Sequence, residues 1–348
     1  MIRLNRQISH FGQRDGELIL CPSVFTIISW LAERDSVCFL QTGNGVFWMK
    51  TKTSNMKKRG RMGYVYIMPW LIGFLVFQLY PLAASFCYSF TDFNITGSPV
   101  FVGLKNYIEM FTNDKMFFSS IVTTLKYVLM SVPMKLITAL IVAVVLSQKI
   151  RGINIYRTVY YIPSIFGGSV AISILWRFLF MDSGLVNRAL NALNISSVPW
   201  LSSPKVVLFT LSLLSVWQFG ASMVLFLAAI KQVPSDLYEA ARIDGAGAVR
   251  CFFKITLPMI TPVFFFNLLM QMVNAFQDFT GAFVITNGGP VNSTYLFALK
   301  LYDEAFSYYK MGYACALSWV LFAMILVFTI FFFRFSEAYT YYEDGGDF

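Results

Sequence analysis

Four polar side chains recur at helical spacing in an otherwise apolar stretch of the C-terminal third of the chain. They are Asn267, Gln271, Asn274 and Asp278, at successive spacings of 4, 3 and 4 residues. At about 100° per residue, these positions fall within about 60° of one another around a helix. Amide and carboxylate groups on one helix face can hydrogen-bond to the hydroxyl groups of a polar solute or to a neighbouring helix. The spacing therefore predicts either a solute pathway or an interhelical contact, and it leaves both open.

Two other apolar stretches contain weaker candidates for the same pathway. Trp217 and Gln218 lie side by side in one of them, and Lys135 lies midway along the other. A charge at the centre of a membrane helix costs about 2.5–3.5 kcal/mol on insertion scales. We therefore expect the Lys135 ammonium to face protein or water, and the sequence favours a structural partner for it over a solute.

Residue types that support catalysis or metal binding are sparse. The chain has one histidine, His10, and its five cysteines lie far apart, without paired or metal-binding spacing. An enzyme embedded in a membrane would need a nucleophile with a base, or a metal cluster, inside its apolar stretches. The sequence offers neither, and it contains no GxxxxGK[ST] phosphate-binding loop. We predict a chain that is not an enzyme, with no catalytic residue, no metal site and no nucleotide site of its own.

A short charged segment, LYEAARIDGAGAVRCFFKITLP, separates two apolar stretches at residues 237–258. Leu237, Ala240 and Ala241 recur at helical spacing and form a narrow face of small apolar groups. Gly245 can adopt the left-handed conformation that ends a helix, and a second short helix is predicted after it. A connection between neighbouring helices needs only about 2–8 residues. The pattern predicts a hairpin of two short helices that binds a partner, with a solvated amphipathic loop as the alternative.

The elements that must position these residues are membrane helices. The chain of 348 residues is 57% hydrophobic and 13% charged, and several apolar runs reach the ~20 residues that a helix needs to cross a membrane. The six runs are Tyr64–Phe90, Ile121–Leu146, Val159–Phe180, Val206–Ile230, Pro258–Phe276 and Met311–Phe333. The predicted fold is an all-α integral membrane protein of six transmembrane helices, with the charged hairpin between helices 4 and 5.

Lysine and arginine residues near the ends of the runs predict the orientation. With the N-terminus inside, the inner segments carry fourteen of these residues and the outer segments carry six. Since the cytoplasmic side holds the excess, both termini and the hairpin are predicted to be cytoplasmic, in a multi-pass protein of the cell membrane. The net charge of +9 is explained by this bias and by contact with membrane lipid, so nucleic acid is not an expected partner. The same orientation places Asp278 near the outer end of the fifth span.

The first 55 residues differ from the rest of the chain. Their apolar stretch at residues 21–32 covers only twelve residues, which is too short to span a membrane. Met56 is followed by a basic patch and then by the first span. We therefore divide the chain into residues 1–55, an N-terminal extension that could be a misassigned gene start, and residues 56–348, the transmembrane domain. A poorly ordered cytoplasmic extension is the alternative.

The charged segment resembles the EAA motif of permease subunits of ATP-binding-cassette (ABC) importers. The resemblance lies in Glu239-Ala240-Ala241, Asp244-Gly245-Ala246 and Ile255-Thr256-Leu257-Pro258. The segments FVGLKNYIEMF, RTVYYIPSIFGGSVAISILWRFLF and QDFTGAFVITNGGPVNSTYLFALKLYDEAF resemble the carbohydrate-import branch of that family, the maltose and glycerol-3-phosphate type. The resemblance covers about residues 60–335.

This resemblance implies a function and a set of partners. The chain would be the permease domain of an importer for a sugar or oligosaccharide, paired with a second homologous permease and supplied by an extracytoplasmic solute-binding protein. Separate ATPase subunits would hold the ATP and magnesium, and this chain would hold no cofactor. The residues implied in ATPase coupling are Glu239, Ala240, Ala241, Asp244, Gly245, Ile255, Leu257 and Pro258. An ABC permease for another solute is an alternative. An ion-coupled secondary transporter is another, although the inverted repeats expected of one are not seen in the sequence.

Overall fold

A computed structural model of the chain describes residues 37–42, 45–50, 66–95, 97–148 and 151–339. The two N-terminal ranges and residues 335–339 are described by their backbone alone. Most of the predicted N-terminal extension lies outside the described residues, and so does the predicted start at Met56.

The chain divides into two compact units, residues 1–81 and residues 82–348. The first contains two antiparallel strands, which are β1 (Val37–Thr42) and β2 (Gly45–Lys50). The second contains a shorter antiparallel pair, which is β3 (Thr91–Asp92) and β4 (Val100–Phe101). The rest of the regular structure in the described residues is helical.

The helices differ widely in length. They are α1 (Tyr66–Tyr88), α2 (Lys105–Thr112), α3 (Lys115–Ser147), α4 (Ile153–Ile165), α5 (Val170–Phe180), α6 (Leu185–Ala192), α7 (Val207–Trp217), α8 (Gly220–Gln232), α9 (Ser235–Ile243), α10 (Ala248–Met259), α11 (Thr261–Phe276), α12 (Ala282–Thr286), α13 (Phe297–Tyr302) and α14 (Met311–Tyr339). Helix α12, turns within α1 and α10, and the segment Asp303–Ser307 that continues α13 have π-helical geometry.

The described helices account for the six predicted spans. Four segments are long and apolar enough to cross a membrane: α1, α3, α5 together with α6, and α14. Two bent pairs supply the others, with 51° between α7 and α8 and 70° between α10 and α11. The predicted all-α membrane fold is confirmed, with each bent pair counted as one span.

The prediction of continuous helices is wrong for the third and fourth spans. The predicted third span, Val159–Phe180, is divided: α4 ends at Ile165, and α5 begins at Val170. Between them Gly168 has a φ of +73°, a left-handed conformation that glycine adopts at little cost. The fourth span is also divided, into α7 and α8. The fifth is bent at Ile260, where α10 and α11 meet.

Helix α3 lies at the centre of the second unit. Its 33 residues make it about 50 Å long at 1.5 Å per residue, and it packs against α7, α8 and α11. Ala139 and Ala143, one turn apart on α3, are fully buried. Small residues of this kind let helix backbones approach closely, which is how membrane helices associate. The side chains that α3 presents to the broken helices around it therefore lie in the interior of the bundle.

Candidate solute cavity and coupling hairpin

Three helix breaks meet at one polar cavity of about 260 Å³. The break between α4 and α5 contributes Gly168, the break between α7 and α8 contributes Gln218, and the segment after α11 contributes residues 277–279. Helix α3 adds Tyr127 and Lys135. Non-helical backbone in a membrane protein is tolerated where it is buried in protein or lines a water-filled cavity. The breaks therefore line a polar cavity inside the bundle, which is a candidate site for a polar solute.

A single hydroxyl group stabilises the break between α7 and α8. Ser164 Oγ donates a hydrogen bond to the Gln218 carbonyl oxygen (3.1 Å) and accepts one from the Ala221 N–H (3.0 Å). Both backbone groups are thus satisfied although the helix is interrupted between them. Gly220 allows this close approach, because a Cβ atom there would lie 2.5 Å from the Tyr160 carbonyl oxygen. The contact fixes Gln218 at the cavity wall.

Asp278 lies between the end of α11 and the start of α12, and its carboxylate accepts a hydrogen bond from the Tyr127 hydroxyl. Tyr127 is the twelfth residue after Lys115, the first residue of α3, which places it about 18 Å along the helix. Helix α11 ends at Phe276, where the predicted fifth span also ends, and Asp278 follows it. The contact with Tyr127 places the Asp278 carboxylate beside the middle third of α3, inside the bundle.

Lys135 faces the same cavity, as expected for a charge that avoids lipid. It lies eight residues after Tyr127 on α3, which places both side chains on one face of the helix. The side chain is half-buried. Within the described part of the chain it makes neither a hydrogen bond nor an ion pair. The structural partner that the sequence favoured for Lys135 is therefore not found there at contact distance.

The predicted pathway residues divide into two groups. Those that line the cavity are Gln218, Gln271, Asn274 and Asp278. Asn267 of α11 does not line the cavity, because its side chain is fully buried against α8. There its side-chain amide accepts a hydrogen bond from Ser222 Oγ (2.9 Å) and donates one to the Ser222 carbonyl oxygen (3.3 Å). Trp217 does not line the cavity either, since its ring packs against Trp176 with 6.1 Å between the ring centroids. The stripe on α11 thus makes an interhelical contact at Asn267 and forms part of the cavity wall at Gln271 and Asn274.

Sequence reasoning missed several residues of the cavity wall. They are Tyr127, Ser173, Ser215, Gln277 and Thr280. The i, i+8 spacing from Lys135 could have pointed to Tyr127. The sequence gives no such signal for Ser173. Serines in many helices bond to a carbonyl oxygen one turn earlier, as the Ser173 hydroxyl does to that of Ser169 (3.3 Å), so a serine in an apolar helix does not by itself indicate a cavity.

Helices α9 and α10 form the predicted hairpin, and its glycine stop is confirmed. Gly245 has a φ of +77°, and its N–H donates to the Arg242 carbonyl oxygen (3.0 Å). The N–H of Ala246 donates to the Ala241 carbonyl oxygen (2.8 Å). This pair of bonds is the Schellman motif, which ends a helix with a glycine in the left-handed conformation. The elbow between α9 and α10 is therefore specified by local backbone chemistry.

The outer surface of the hairpin is largely uncovered. The residues implied in coupling are either exposed, which are Glu239, Ala240, Asp244, Gly245 and Pro258, or half-buried, which are Ala241, Ile255 and Leu257. Two apolar side chains beside the elbow are also exposed, Ile243 at 87% and Val249 at 72%. No heavy atom of the described chain lies within 4 Å of the position that a Cβ atom would take at Gly245. Exposed apolar groups that lie close together mark protein interaction sites, and this surface has room for a partner.

The inner surface of the hairpin faces the ends of α3 and α8. The hydroxyl groups of Tyr238 and Thr256 are hydrogen-bonded at 2.8 Å, which joins the two arms. A cavity of about 670 Å³ separates the hairpin from Ser147, Gln148 and Lys231. The segments that the charge bias assigned to one side of the membrane thus lie together in the structure.

A buried ion-pair cluster joins three elements at the N-terminal end of α3. Lys300 is 2% exposed, and its Nζ lies 2.6 Å from Asp114 Oδ2 and 3.3 Å from Glu304 Oε1. Tyr313 donates a hydrogen bond of 2.6 Å to Asp114 Oδ2, while Asp114 Oδ1 accepts two backbone N–H bonds from the first turn of α3. Burial raises the pKa of Asp114, but the hydrogen bonds from Lys300 and Tyr313 outweigh it and hold that pKa below its usual value. Lys300 and Glu304 are four residues apart, but no periodicity in the sequence connects them with Asp114.

The relatives of this chain are transport permeases. Residues 108–340 match the family model described as the binding-protein-dependent transport system inner membrane component. The probable ABC transporter permease protein YesP of Bacillus subtilis (strain 168) is 45% identical over 305 residues, which cover 87% of this chain and 98% of that protein. The sn-glycerol-3-phosphate transport system permease protein UgpA of Yersinia pestis is 36% identical over 284 residues, covering 80% and 95%. The probable starch degradation products transport system permease protein AmyD of Thermoanaerobacterium thermosulfurigenes is 31% identical over 281 residues, covering 80% and 95%.

Solved structures share the architecture. A crystal structure of a bacterial ABC transporter involved in the import of the acidic polysaccharide alginate matches with a TM-score of 0.72 at 21% identity, covering 82% of this chain and 98% of that chain. At this identity the match shows the fold alone. The family model and the curated relatives agree with the membrane spans described above. The chain therefore belongs to the family of binding-protein-dependent transport system inner membrane components, as a multi-pass permease of an ABC importer.

Proposed function

We propose that this permease moves a sugar or oligosaccharide into the cytoplasm, and that separate ATPase subunits docking on the α9–α10 hairpin drive the movement. The cavity supports a sugar because most of its polar groups are amides and hydroxyls, which bond well to sugar hydroxyl groups. The names of the relatives AmyD and UgpA point to starch degradation products and to glycerol 3-phosphate. The coupling residues named above would contact the ATPase, which would hold the ATP and magnesium.

A continuous connection from hairpin to cavity is the observation that carries this proposal. Helix α10 runs into α11 with a bend of 70°, and backbone hydrogen bonds continue across it. The Ile260 N–H donates to the Thr256 carbonyl oxygen (3.1 Å), and the Phe264 N–H donates to the Ile260 carbonyl oxygen (2.9 Å). A force on the hairpin would therefore move α11 with it. Because Gln271 and Asn274 of α11 line the cavity, ATPase motion would reach the solute directly.

Further partners and the orientation are part of the same proposal. One chain with six spans offers one wall of a pathway, so a second homologous permease would supply the other. The excess of lysine and arginine supports a cytoplasmic position for the hairpin and both termini. An extracytoplasmic binding protein would then deliver the solute at the opposite face, where the Asp114–Lys300 cluster lies.

The test compares two substitutions of Gly245 that strain the backbone equally. The left-handed conformation at position 245 costs any L-residue roughly 1–2 kcal/mol of conformational free energy. This cost is the same for Gly245→Ala and Gly245→Trp. Only the tryptophan fills the open space beside the elbow. In the complete transporter, assembled with its ATPase, second permease and binding protein, we expect Gly245→Ala to keep sugar uptake. We expect Gly245→Trp to insert normally and to abolish uptake.

Membrane insertion is checked by the amount of protein in the membrane fraction. Uptake at the wild-type rate by correctly inserted Gly245→Trp would contradict docking at the elbow. Uptake that continues without ATP and follows an imposed ion gradient would indicate a secondary transporter and would overturn the proposed function.

A further inference from the structure

We infer that the solute held in this cavity is a saccharide that carries an acidic group, and that Lys135 binds that group. The inference rests on the proposed function and narrows its substrate class. Lys135 faces the cavity from α3, and its ammonium has no hydrogen-bond or ion-pair partner among the described residues. A cation inside a membrane protein is costly unless a counter-charge meets it.

The acidic residue of the cavity is already committed to other groups. Asp278 accepts a hydrogen bond from the Tyr127 hydroxyl, and its two carboxylate oxygens would lie 3.7 Å from a Cβ atom at Gly281, in the first turn after the break. Its carboxylate therefore holds the broken end of α11 against α3. Asp278 attracts Lys135 across the cavity. Within the described part of the chain, however, the two side chains do not come close enough to form an ion pair.

The rest of the polar wall is neutral. It consists of Ser173, Ser215, Gln218, Gln271, Asn274, Gln277 and Thr280, beside Tyr127. These amides and hydroxyls suffice for a neutral sugar, and such a sugar would leave the ammonium with hydroxyl contacts alone. A carboxylate or phosphate on the solute would instead form a charge-assisted hydrogen bond with Lys135, and such bonds are about twice as strong as neutral ones. The cation thus selects for an acidic solute over its neutral counterpart.

The experiment compares matched probes in proteoliposomes that contain the complete transporter and its binding protein. The probes are digalacturonate, its neutral carboxyl-reduced counterpart galactobiose, and galactose 6-phosphate. Digalacturonate and the sugar phosphate distinguish a carboxylate from a phosphate as the bound group. The variants are Lys135→Met, which removes the charge, and Lys135→Arg, which keeps it. Lys126→Met is the matched control, because Lys126 is exposed and lies nine residues before Lys135, on the opposite face of α3.

We expect the wild type to take up at least one acidic probe, and Lys135→Met to lower that uptake about tenfold or more. Lys135→Arg should recover much of it, and Lys126→Met should match the wild type. Lys135→Met should lower galactobiose uptake much less than it lowers acidic uptake, because a neutral sugar loses only hydroxyl contacts with the ammonium. All variants share one binding protein, so a difference between them arises in the permease. Acidic uptake that Lys135→Met leaves unchanged would overturn the inference. Uptake of galactobiose alone would overturn it too while leaving sugar import standing, and uptake of none of the probes would count against both.

Discussion

The buried cluster around Lys300 makes a quantitative prediction about stability. Asp114→Asn removes one negative charge while keeping a side chain of the same shape, and asparagine caps a helix about as well as aspartate. The substitution therefore isolates the ion pair from the cap on α3. Lys300, at 2% exposure, would retain only Glu304, whose Oε1 lies 3.3 Å from its Nζ.

The size of the effect follows from this geometry. Removing one partner of a buried ion pair costs about 3–5 kcal/mol, because the other charge stays buried without compensation. Since Glu304 remains, we expect a loss near the lower end, about 3 kcal/mol in the free energy of unfolding. Asp114→Ala also removes the cap and should cost about 1 kcal/mol more. The double variant Asp114→Asn with Lys300→Met also removes the lysine that Asp114→Asn leaves buried. It should recover only part of the loss, because Glu304 then has no partner.

Unfolding of the purified chain in mixed micelles, with increasing SDS and detection by circular dichroism, gives these free energies. Together with the single variant Lys300→Met, the wild type, Asp114→Asn and the double variant form a double-mutant cycle that isolates the coupling between Asp114 and Lys300. An Asp114→Asn variant within about 1 kcal/mol of the wild type would refute the reasoning, because that is the range of exposed ion pairs. A double variant less stable than Asp114→Asn would refute it as well.

Three further predictions follow from individual contacts. The pKa of Asp114 is lower in the folded state than its value of 3.8 in the unfolded chain. Its contribution to the free energy of unfolding should therefore be complete above pH 3.8 and be lost as the pH falls through the folded-state pKa. The stabilities of the wild type and Asp114→Asn should therefore become equal in acid. Gly220→Ala should cost about 1–3 kcal/mol in the same unfolding assay, because its Cβ would press on a backbone oxygen of α4. Gly281→Ala, whose Cβ would have its nearest neighbour at 3.7 Å, is the control, and equal stability of the two variants would contradict the steric argument. Tyr127→Phe removes the hydrogen bond to Asp278 and should cost about 1.5–3 kcal/mol; a stable variant with normal uptake would show that this bond does not hold the cavity.

Long apolar runs made the spans predictable, but they concealed the breaks within them. Hydropathy averages over about twenty residues, and a break of two to four residues changes that average little. Gly167-Gly168 was the exception, since a pair of glycines is a turn signal that the sequence carried. The break at Gln218 had no comparable signal. It depends on a hydroxyl from another helix, Ser164, whose distance in sequence hides the contact.

The polar stripe on α11 shows a second limit. Helical periodicity correctly placed Asn267 and Gln271 on one face, but the neighbours of that face change along the helix. Near its start the face meets Ser222 of α8, and farther along it meets the cavity. Which residues bond to protein and which face the solute is decided by packing between distant segments. The Asp114–Lys300 pair was missed for the same reason, since 186 positions separate its members.

Pro258 shows how one residue of the EAA-like segment can have a structural purpose distinct from docking. Proline lacks an N–H group and its ring crowds the preceding turn, so it disturbs the helical hydrogen-bond ladder. Immediately before it, the Leu257 N–H bonds five residues back to the Phe252 carbonyl oxygen, which makes a π-helical turn. A second proline, Pro262, lies in the first turn of α11, where proline is well tolerated. The two prolines bracket the 70° bend at Ile260. We infer that the Leu257-Pro258 end of the segment shapes the joint that carries motion into α11, while the Glu239–Gly245 end presents the surface that a partner contacts.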